Sequence, residues 1–270
     1  MSKKMRARRL AAQLSARDLA VLGSLQEFRL MTGAQLRRLH FGSGQVATQA
    51  RKARASLKRL TEIEVVVRLA RRIGGNHAGS EGYVYGLGGW GHAVLDADQV
   101  EQRRHRRVIE TRPAFLDHIL AVGDVAVALD EYQRAGRCQI DELRAEPGAW
   151  RQFTGDDRQQ RTLKPDGFIR VTVGEYELSS FVEMDMSTES VPTIARKLGV
   201  YVDYWRAGQE QQRHGVFPRV WWLVPDQVRH AAIARTIERL PAGARGLFSV
   251  ALQSGAVDQL LRPPVDEMTV

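Results

Sequence analysis

Three carboxylates in the second half of the chain have the residue types and the spacing to bind a divalent cation. Asp166 precedes an apolar, β-prone stretch at residues 168–173. Glu183 and Asp185 end the next such stretch, and because they are two residues apart they point to the same side of a strand. If the two stretches pair as a hairpin, the three carboxylates meet near one edge of the sheet. Hard oxygen ligands of this kind suit Mg²⁺ or Mn²⁺, so the sequence predicts a metal site there.

Each of these residues also has an ordinary structural interpretation. Pro165-Asp166-Gly167 is a common turn signal. Glu183 and Asp185 can be solvated charges at the end of a strand. The metal site is favoured only when the residues are taken together with the order of the surrounding elements.

The elements predicted around the carboxylates alternate between helices and strands, which indicates an α/β (α+β) fold class. In order, they are a helix at 113–135, strands at 139–145, 167–173 and 176–184, a helix at 190–208, a strand at 219–224, a helix at 226–239 and a strand at 246–252. A long polar loop at 148–164 is expected before the second strand.

A different pattern occupies the first half of the chain. Ser15 and Thr32 are expected to cap two helices, and a third helix is expected from about Gln45 to Leu60. The apolar face of the third helix is formed by residues at helical spacing: Val46, Ala50, Ala53, Leu57 and Leu60. Strands are predicted at 64–69 and 83–87, with a glycine-rich loop at 71–82 between them. Three helices followed by a β-hairpin predict a winged helix-turn-helix domain.

The third helix is expected to contact double-stranded DNA. The residues predicted to bind DNA lie on its outer face and at the start of the hairpin loop, and they are Thr48, Arg51, Lys52, Arg54, Lys58, Arg59, Arg71 and Arg72. Residues 1–110 hold 21 Lys and Arg but 9 Asp and Glu, a net charge of +12, whereas residues 111–270 have a net charge of −3. A basic half of this kind favours a polyanionic partner. A solvated basic face, RNA binding and a protein-binding winged helix remain alternatives.

The composition places few other limits on function. The single cysteine, Cys138, excludes an internal disulfide and fits a cytoplasmic protein. No stretch is apolar enough for a transmembrane helix, so no membrane partner is expected. The basic N-terminus lacks the apolar segment of a signal peptide, and a flexible basic arm is expected there.

The predicted element order αβββαβ resembles the PD-(D/E)XK nuclease fold. In that fold an Asp at the second strand and a Glu at the third hold one or two metal ions, and Asp166 and Glu183 stand at the matching positions. The resemblance implies that Asp166 and Glu183 are catalytic metal ligands, and Asp185 and Lys197 complete the predicted set of catalytic residues. Asp185 stands where the usual Lys would be, so Lys197 on the following helix is the first candidate for a displaced lysine, and Lys164 is the second.

The chain also resembles the replication-relaxation family of actinobacterial plasmids, phages and integrative elements, over roughly residues 15–205. The residues that carry this resemblance are Leu19 to Leu39, Leu57 to Leu69, Tyr85-Gly86-Leu87 with Gly91 and Leu95, His118 to Asp124, Pro165-Asp166-Gly167, Glu183 to Glu189, and Lys197 with Tyr201. The resemblance implies a DNA-binding protein that acts in plasmid replication or in the relaxation of supercoiled DNA.

The sequence thus predicts a DNA-binding protein of a plasmid, phage or other mobile element, with a Mg²⁺- or Mn²⁺-dependent nuclease-like domain. The alternative is a non-catalytic regulator or replication accessory factor whose degenerate nuclease-like domain serves dimerisation or DNA contact, and a transcriptional repressor is a third possibility. The expected partners besides DNA are a second copy of the chain, in a homodimer, and other replication or transfer proteins of the element. The predicted boundaries are a basic arm (1–11), a winged helix-turn-helix domain (12–96), a charged linker (97–111), a nuclease-like domain (112–262) and a tail (263–270).

Overall fold

The computed structural model describes residues 2–42, 44–69, 83–97 and 113–263. The chain divides into two compact units, residues 1–127 and 128–270. The division falls within helix α6 (Pro113–Arg134). This is later than the predicted linker at 97–111, most of which lies outside the described residues. The mixed α/β fold class expected from the sequence is confirmed.

The N-terminal unit consists of helices and a small antiparallel sheet. Its elements before α6 are α1 (Lys3–Ala11), α2 (Ala16–Phe28), β1 (Leu30–Thr32), α3 (Gly33–His40), α4 (Val46–Glu62), β2 (Val66–Arg68), β3 (Val84–Leu87) and α5 (Gly89–Leu95). The strand order in the sheet is β1-β3-β2. In the register of the sheet, Gly86 of β3 lies between Leu30 of β1 and Val67 of β2. The predicted loop at 71–82 lies outside the described residues.

Side-chain caps explain where α2 and α3 begin. The Ser15 side chain accepts from the backbone N–H of Asp18, and the Asp18 carboxylate accepts from the backbone N–H of Ser15. Thr32 and Gln35 form the same reciprocal arrangement at the start of α3. Such boxes satisfy backbone donors that a helix start otherwise leaves unpaired. The two predicted caps are therefore confirmed.

Helix α4 packs through the later part of its predicted apolar stripe. Ala53, Leu57 and Leu60 are buried. Val46 has the right spacing for the same stripe but is 68% exposed, because it lies at the N-terminal end of the helix, ahead of its buried positions.

The N-terminal segment forms a helix and is not the flexible arm expected from its charge. The Ser2 side chain accepts from the backbone N–H of Met5 and caps α1, and Ala7 is buried. The Arg6 guanidinium lies 4.3 Å from the centre of the Trp90 ring of α5. The capping serine and this cation–π contact give α1 a start and a packing partner.

Two glycines allow the start of α5 to approach the chain between α4 and β2. A side chain at Gly88 would collide with the carbonyl oxygen of Glu64, and one at Gly91 would collide with that of Val65. The backbone of α5 therefore lies directly against the segment through which α4 passes into β2.

The first part of α6 packs onto the N-terminal unit. Leu116 and Ile119 form a buried cluster with Leu30 and Val84. The buried Gln35 side chain donates to the carbonyl oxygen of Leu120 at 2.7 Å and to Asp124 at 2.8 Å.

The C-terminal unit is built on a mixed five-stranded sheet. Its elements after α6 are β4 (Gln139–Ala145), β5 (Arg151–Thr154), β6 (Gln160–Leu163), β7 (Gly167–Val173), β8 (Tyr176–Met184), α7 (Val191–Arg206), α8 (Gln209–His214), β9 (Arg219–Val224), α9 (Gln227–Ile237), α10 (Ala242–Arg245), β10 (Phe248–Leu252) and α11 (Ala256–Leu260). The sheet order is β10-β9-β8-β7-β4. Strands β8, β9 and β10 run parallel, whereas β7 is antiparallel to both β8 and β4.

Aromatic side chains fill the core between the sheet and α7. Phe181 of β8 packs against Tyr201 and Tyr204 of α7, with ring centres 5.9 and 6.3 Å apart. Tyr201 also contacts Trp222 of β9 edge to face. Fully buried rings of this size contribute a large part of the apolar area that a fold removes from water. The packing fixes α7 over the ends of β7 and β8.

The segment 148–164, expected to be a loop, contains the antiparallel hairpin β5–β6. Its strands bury Phe153 and Leu163 in the core. Each strand is four residues long, which is too short for its alternation to stand out among the polar residues around it. No helix in the described part of the chain is long and apolar enough to cross a membrane.

Candidate functional site

The hairpin of β7 and β8 brings Asp166 beside Glu183. Gly167 pairs with Val182 in the register of the two strands. The Asp166 backbone N–H donates to the carbonyl oxygen of Val182 at 3.1 Å, and its carboxylate accepts from the backbone N–H of Met184 at 2.7 Å. These bonds place Asp166 across the ladder from Glu183, as the hairpin predicted from the sequence requires.

Glu183 is buried and held by two side chains of α7. The hydroxyl of Tyr201 donates to one of its carboxylate oxygens at 2.6 Å, and Lys197 donates to the other at 3.3 Å. Lys197 and Tyr201 are four residues apart, so both lie on the face of α7 that is turned to the end of β8. The start of α7 is fixed by the Ser190 side chain, which accepts from the backbone N–H of Thr193.

The electrostatics of the site follow from burial and from its opposing charges. Burial, followed by the charge of Asp166, raises the pKa of Glu183 to about 8. Burial opposes the charged form of Lys197, but Glu183, Asp166 and Glu189 outweigh it and raise the pKa of this ammonium. Burial and the neighbouring Glu183 raise the pKa of Tyr201 well above its usual value. Lys197 therefore stays positively charged next to a group of carboxylates.

Asp185 is engaged by a different cation. The Arg229 guanidinium donates to its two carboxylate oxygens at 2.8 and 2.7 Å, and the backbone N–H of Ser187 donates to it at 2.6 Å. Both side chains are largely buried, with 1% of Asp185 and 13% of Arg229 exposed. The hydrogen bond with Asp185 raises the pKa of Arg229. Asp185 is thus held in a bidentate ion pair with α9.

The structure assembles part of the predicted set. It brings Asp166, Glu183 and Lys197 together and pairs Asp185 with Arg229. Lys164, the second candidate for the displaced lysine, lies over the ring of Trp150 at 5.0 Å. Across residues 2–42, 44–69, 83–97 and 113–263, no three Asp, Glu, His or Cys side chains are grouped so that they could hold a metal ion.

Two residues of this cluster were not singled out from the sequence. Arg229 follows the N-cap residue Asp226 by three positions, and nothing in its local pattern connects it with Asp185. Glu189, whose carboxylate lies 3.1 Å from the Lys197 ammonium, lies in the segment Glu183 to Glu189 but was given no role of its own. Both contacts depend on how the helices pack over the sheet.

The second candidate site is the basic face of α4. Two rows of residues run along it at the spacing of helical neighbours. We call Ala47, Arg51, Arg54 and Lys58 the outer stripe, and Thr48, Lys52, Ala55 and Arg59 the neighbouring stripe. All of these side chains are exposed except that of Thr48, which is half-buried.

The basic residues at the C-terminal end of α4 have partners within the unit. Arg59 donates to the buried carboxylate of Asp18 at 2.6 Å, and Lys58 lies 3.7 Å from Glu62. Arg51, Lys52 and Arg54 form no ion pair with any residue that the structure describes. The predicted contact residues Arg71 and Arg72 lie outside the described residues.

A comparison with protein-family models shows which family the chain resembles over most of its length. The model described as replication-relaxation matches residues 22–220, which is well over half of the chain. Neither the curated proteins nor the solved structures give a significant match.

Proposed function

Because the chain belongs to the replication-relaxation family, we propose that it binds duplex DNA in the replication or relaxation of a plasmid or other mobile element. The N-terminal unit would be a winged helix-turn-helix, with α4 in the major groove. The order of its elements supports this assignment, because helices α2, α3 and α4 are followed by the antiparallel strands β2 and β3.

The observation that carries the proposal is that three basic side chains of α4 are exposed and form no ion pair with a described residue. Arg51, Lys52 and Arg54 are exposed and unpaired among the described residues, whereas Arg59 is committed to Asp18. Such cations displace condensed counterions when they meet phosphates, which gives affinity at low salt. The net charge of +12 over residues 1–110 attracts DNA to the same unit.

The proposal is tested by the salt dependence of binding. Fluorescence anisotropy of a labelled duplex from the parent element would be measured over a range of salt concentrations for the wild type and for Arg51→Ala/Lys52→Ala. We expect the variant to bind more weakly. The plot of log K against log salt has a negative slope, and we expect it to become shallower by about 0.9 for each lost phosphate contact.

A matched control removes the same charge elsewhere. Arg235 and Arg239 are exposed in the C-terminal unit, and Arg235→Ala/Arg239→Ala lowers the net charge equally. We expect this control to keep the wild-type slope. An unchanged slope in the α4 variant, or an equal loss in the control, would contradict DNA binding by α4.

The cluster around Glu183 favours a second candidate function, that of a PD-(D/E)XK-like nuclease dependent on Mg²⁺ or Mn²⁺. Asp166 and Glu183 fit as the two metal ligands, and Lys197 fits as the displaced lysine, because it lies 3.3 Å from Glu183. Arg229 donates to both oxygens of Asp185, and Tyr201 and Lys197 donate to the two oxygens of Glu183, so a bound ion would compete with these donors at both residues. A divalent ion at Asp166 and Glu183 would supply activation of a water and stabilisation of the leaving oxygen of a phosphodiester.

The chain's own residues would set up this chemistry in defined ways. Tyr201 orients the Glu183 carboxylate through its hydroxyl, and Lys197 keeps a positive charge beside it. The Asp166 carboxylate is oriented by the backbone N–H of Met184.

The alternative to a nuclease is a regulator or replication accessory factor in which this domain is degenerate and serves dimerisation or DNA contact. The ion pair of Asp185 with Arg229 favours it, because the third predicted carboxylate is already neutralised.

Supercoiled plasmid separates these two functions. The pure protein would be incubated with plasmid and Mg²⁺ or Mn²⁺, and the topological forms would be resolved on a gel. Relaxed or linear product that is lost in Asp166→Ala but kept in the exposed control Asp156→Ala supports the nuclease. Unchanged plasmid together with a clean gel shift supports the accessory factor.

A further inference from the structure

The N-terminal end of α4 is apolar and exposed, although the helix behind it is basic. Val46, its first residue, is 68% exposed, and Ala47 is exposed as well. The buried positions of the same helix, Ala53, Leu57 and Leu60, begin two turns further on. The Val46 side chain therefore projects beyond the core of the N-terminal unit.

This apolar end leads directly into the outer stripe. Ala47 is the first member of that stripe, and Arg51 and Arg54 follow at the spacing of helical neighbours. The Gln49 side chain, an amide of the kind that reads adenine, instead donates to the carbonyl oxygens of Gly42 and Gly44 at 3.0 and 2.7 Å. The helix thus presents methyl groups first and guanidinium groups behind them.

Each base pair shows a distinct pattern in the major groove, and thymine shows a 5-methyl group that apolar side chains contact. The N-terminal residues of a recognition helix are the ones that reach base edges. We propose that Val46, assisted by Ala47, contacts thymine methyl groups and makes the protein select sites with thymine opposite the first turn of α4. This inference rests on the proposed binding of duplex DNA by α4.

Uracil tests the contact, because it differs from thymine only by the missing methyl group. A preferred site would first be selected from a random duplex library with the full-length protein. The selected duplex would then be synthesised with deoxyuridine in place of thymidine at one position at a time. We expect about fourfold weaker binding at one or two positions, the effect of leaving one methyl group in water.

The matching variant is Val46→Ser, which removes both methyl groups from an exposed position. Its affinity for the thymine duplex is expected to fall towards the wild-type value for the uracil duplex, so that its thymine-to-uracil ratio drops well below the wild-type ratio, with Ala47 supplying what remains. Thermal unfolding followed by circular dichroism checks that the fold is retained. Lys52→Ala is the control, and we expect it to weaken binding to both duplexes by the same factor.

The outcomes separate this inference from the function on which it rests. Salt-dependent binding with equal wild-type affinities for thymine and uracil would overturn the inference and leave DNA binding in place. An unchanged thymine preference in Val46→Ser would also overturn it. Absence of any salt-dependent binding to the library would remove the proposed function, and this inference with it.

Discussion

The carboxylate of Asp18 joins α2 to α4. It caps α2 by accepting from the backbone N–H and the hydroxyl of Ser15 at 2.9 and 2.7 Å. It also accepts from Ser56 at 3.0 Å and from Arg59 at 2.6 Å, both on α4. Only 2% of this residue is exposed. Burial alone would raise the pKa of Asp18, but the hydrogen bonds from Ser15, Arg59 and Ser56 outweigh it and lower this pKa below its ordinary value of 3.8.

Asp18→Asn is expected to destabilise the protein in a pH-dependent way. A carboxylate whose pKa is lower in the folded state stabilises the fold above the ordinary value of 3.8 and loses that contribution as pH falls through its folded pKa. The free energy of unfolding should therefore drop by about 1–3 kcal/mol in the variant near neutral pH. Urea denaturation of both proteins at about pH 7 and about pH 3 measures the difference, which should shrink at the lower pH. A difference that stays constant with pH would show that the charge of Asp18 has no part in it.

The sequence around Asp18 predicts its contact with Ser15 but not its contact with Arg59. The acidic residue three positions after Ser15 indicated a helix cap, and the structure confirms that cap. The bond between Asp18 and Arg59 joins residues far apart in the sequence, so no local pattern could indicate it. Arg59 was therefore predicted to contact DNA, although one of its nitrogens is bound to Asp18 in the fold.

At the scale of elements, the ion pair of Asp185 and Arg229 connects the end of β8 to the first turn of α9. Arg229→Met is expected to leave the Asp185 charge buried without a partner and to lower the free energy of unfolding by about 3–5 kcal/mol. The double variant Asp185→Asn/Arg229→Met should recover part of this loss, because it buries no unpaired charge. Chemical denaturation of the three proteins measures both effects.

Arg235→Met on the same helix is the control for that prediction. Its side chain is exposed, so we expect a change within about 0.5 kcal/mol. If Arg229→Met were no more destabilising than this control, the pair would have no structural role.

The lengths of the elements explain which of them the sequence revealed. Helix α4 and strands β7 and β8 are long and strongly patterned, and their predicted positions agree with the structure within two residues. Strand β1 has three residues and is detectable only through its pairing with β3. Helix α1 was missed because its basic composition suggested a solvated arm, whereas packing around Ala7 and Trp90 stabilises it.

At the scale of the whole molecule, charge and fold divide the chain in related but different ways. The net charge changes from +12 over residues 1–110 to −3 over the rest, whereas the two compact units meet at residues 127 and 128. The charged segment at 97–111 is predicted to be a linker, and most of it lies outside the described residues. The first turns of α6 pack against Leu30 and Val84 in the N-terminal unit. When a boundary lies inside a continuous helix, no pattern of glycine, proline or charge marks it in the sequence. The packing of that helix against distant residues therefore decides where the unit ends.

The close approach of α5 at Gly88 and Gly91 has a consequence for how the protein can evolve. Replacing either glycine by a larger residue would push the backbone of α5 away from Glu64 and Val65, which follow the C-terminal end of α4. The orientation of α4 within the N-terminal unit would change as a result. If α4 reads DNA, the preferred DNA sequence could be changed by substitutions that contact no nucleotide, as well as by substitutions on the surface of α4. Selection for a fixed target sequence would then conserve these two small residues as strictly as it conserves a base-reading arginine.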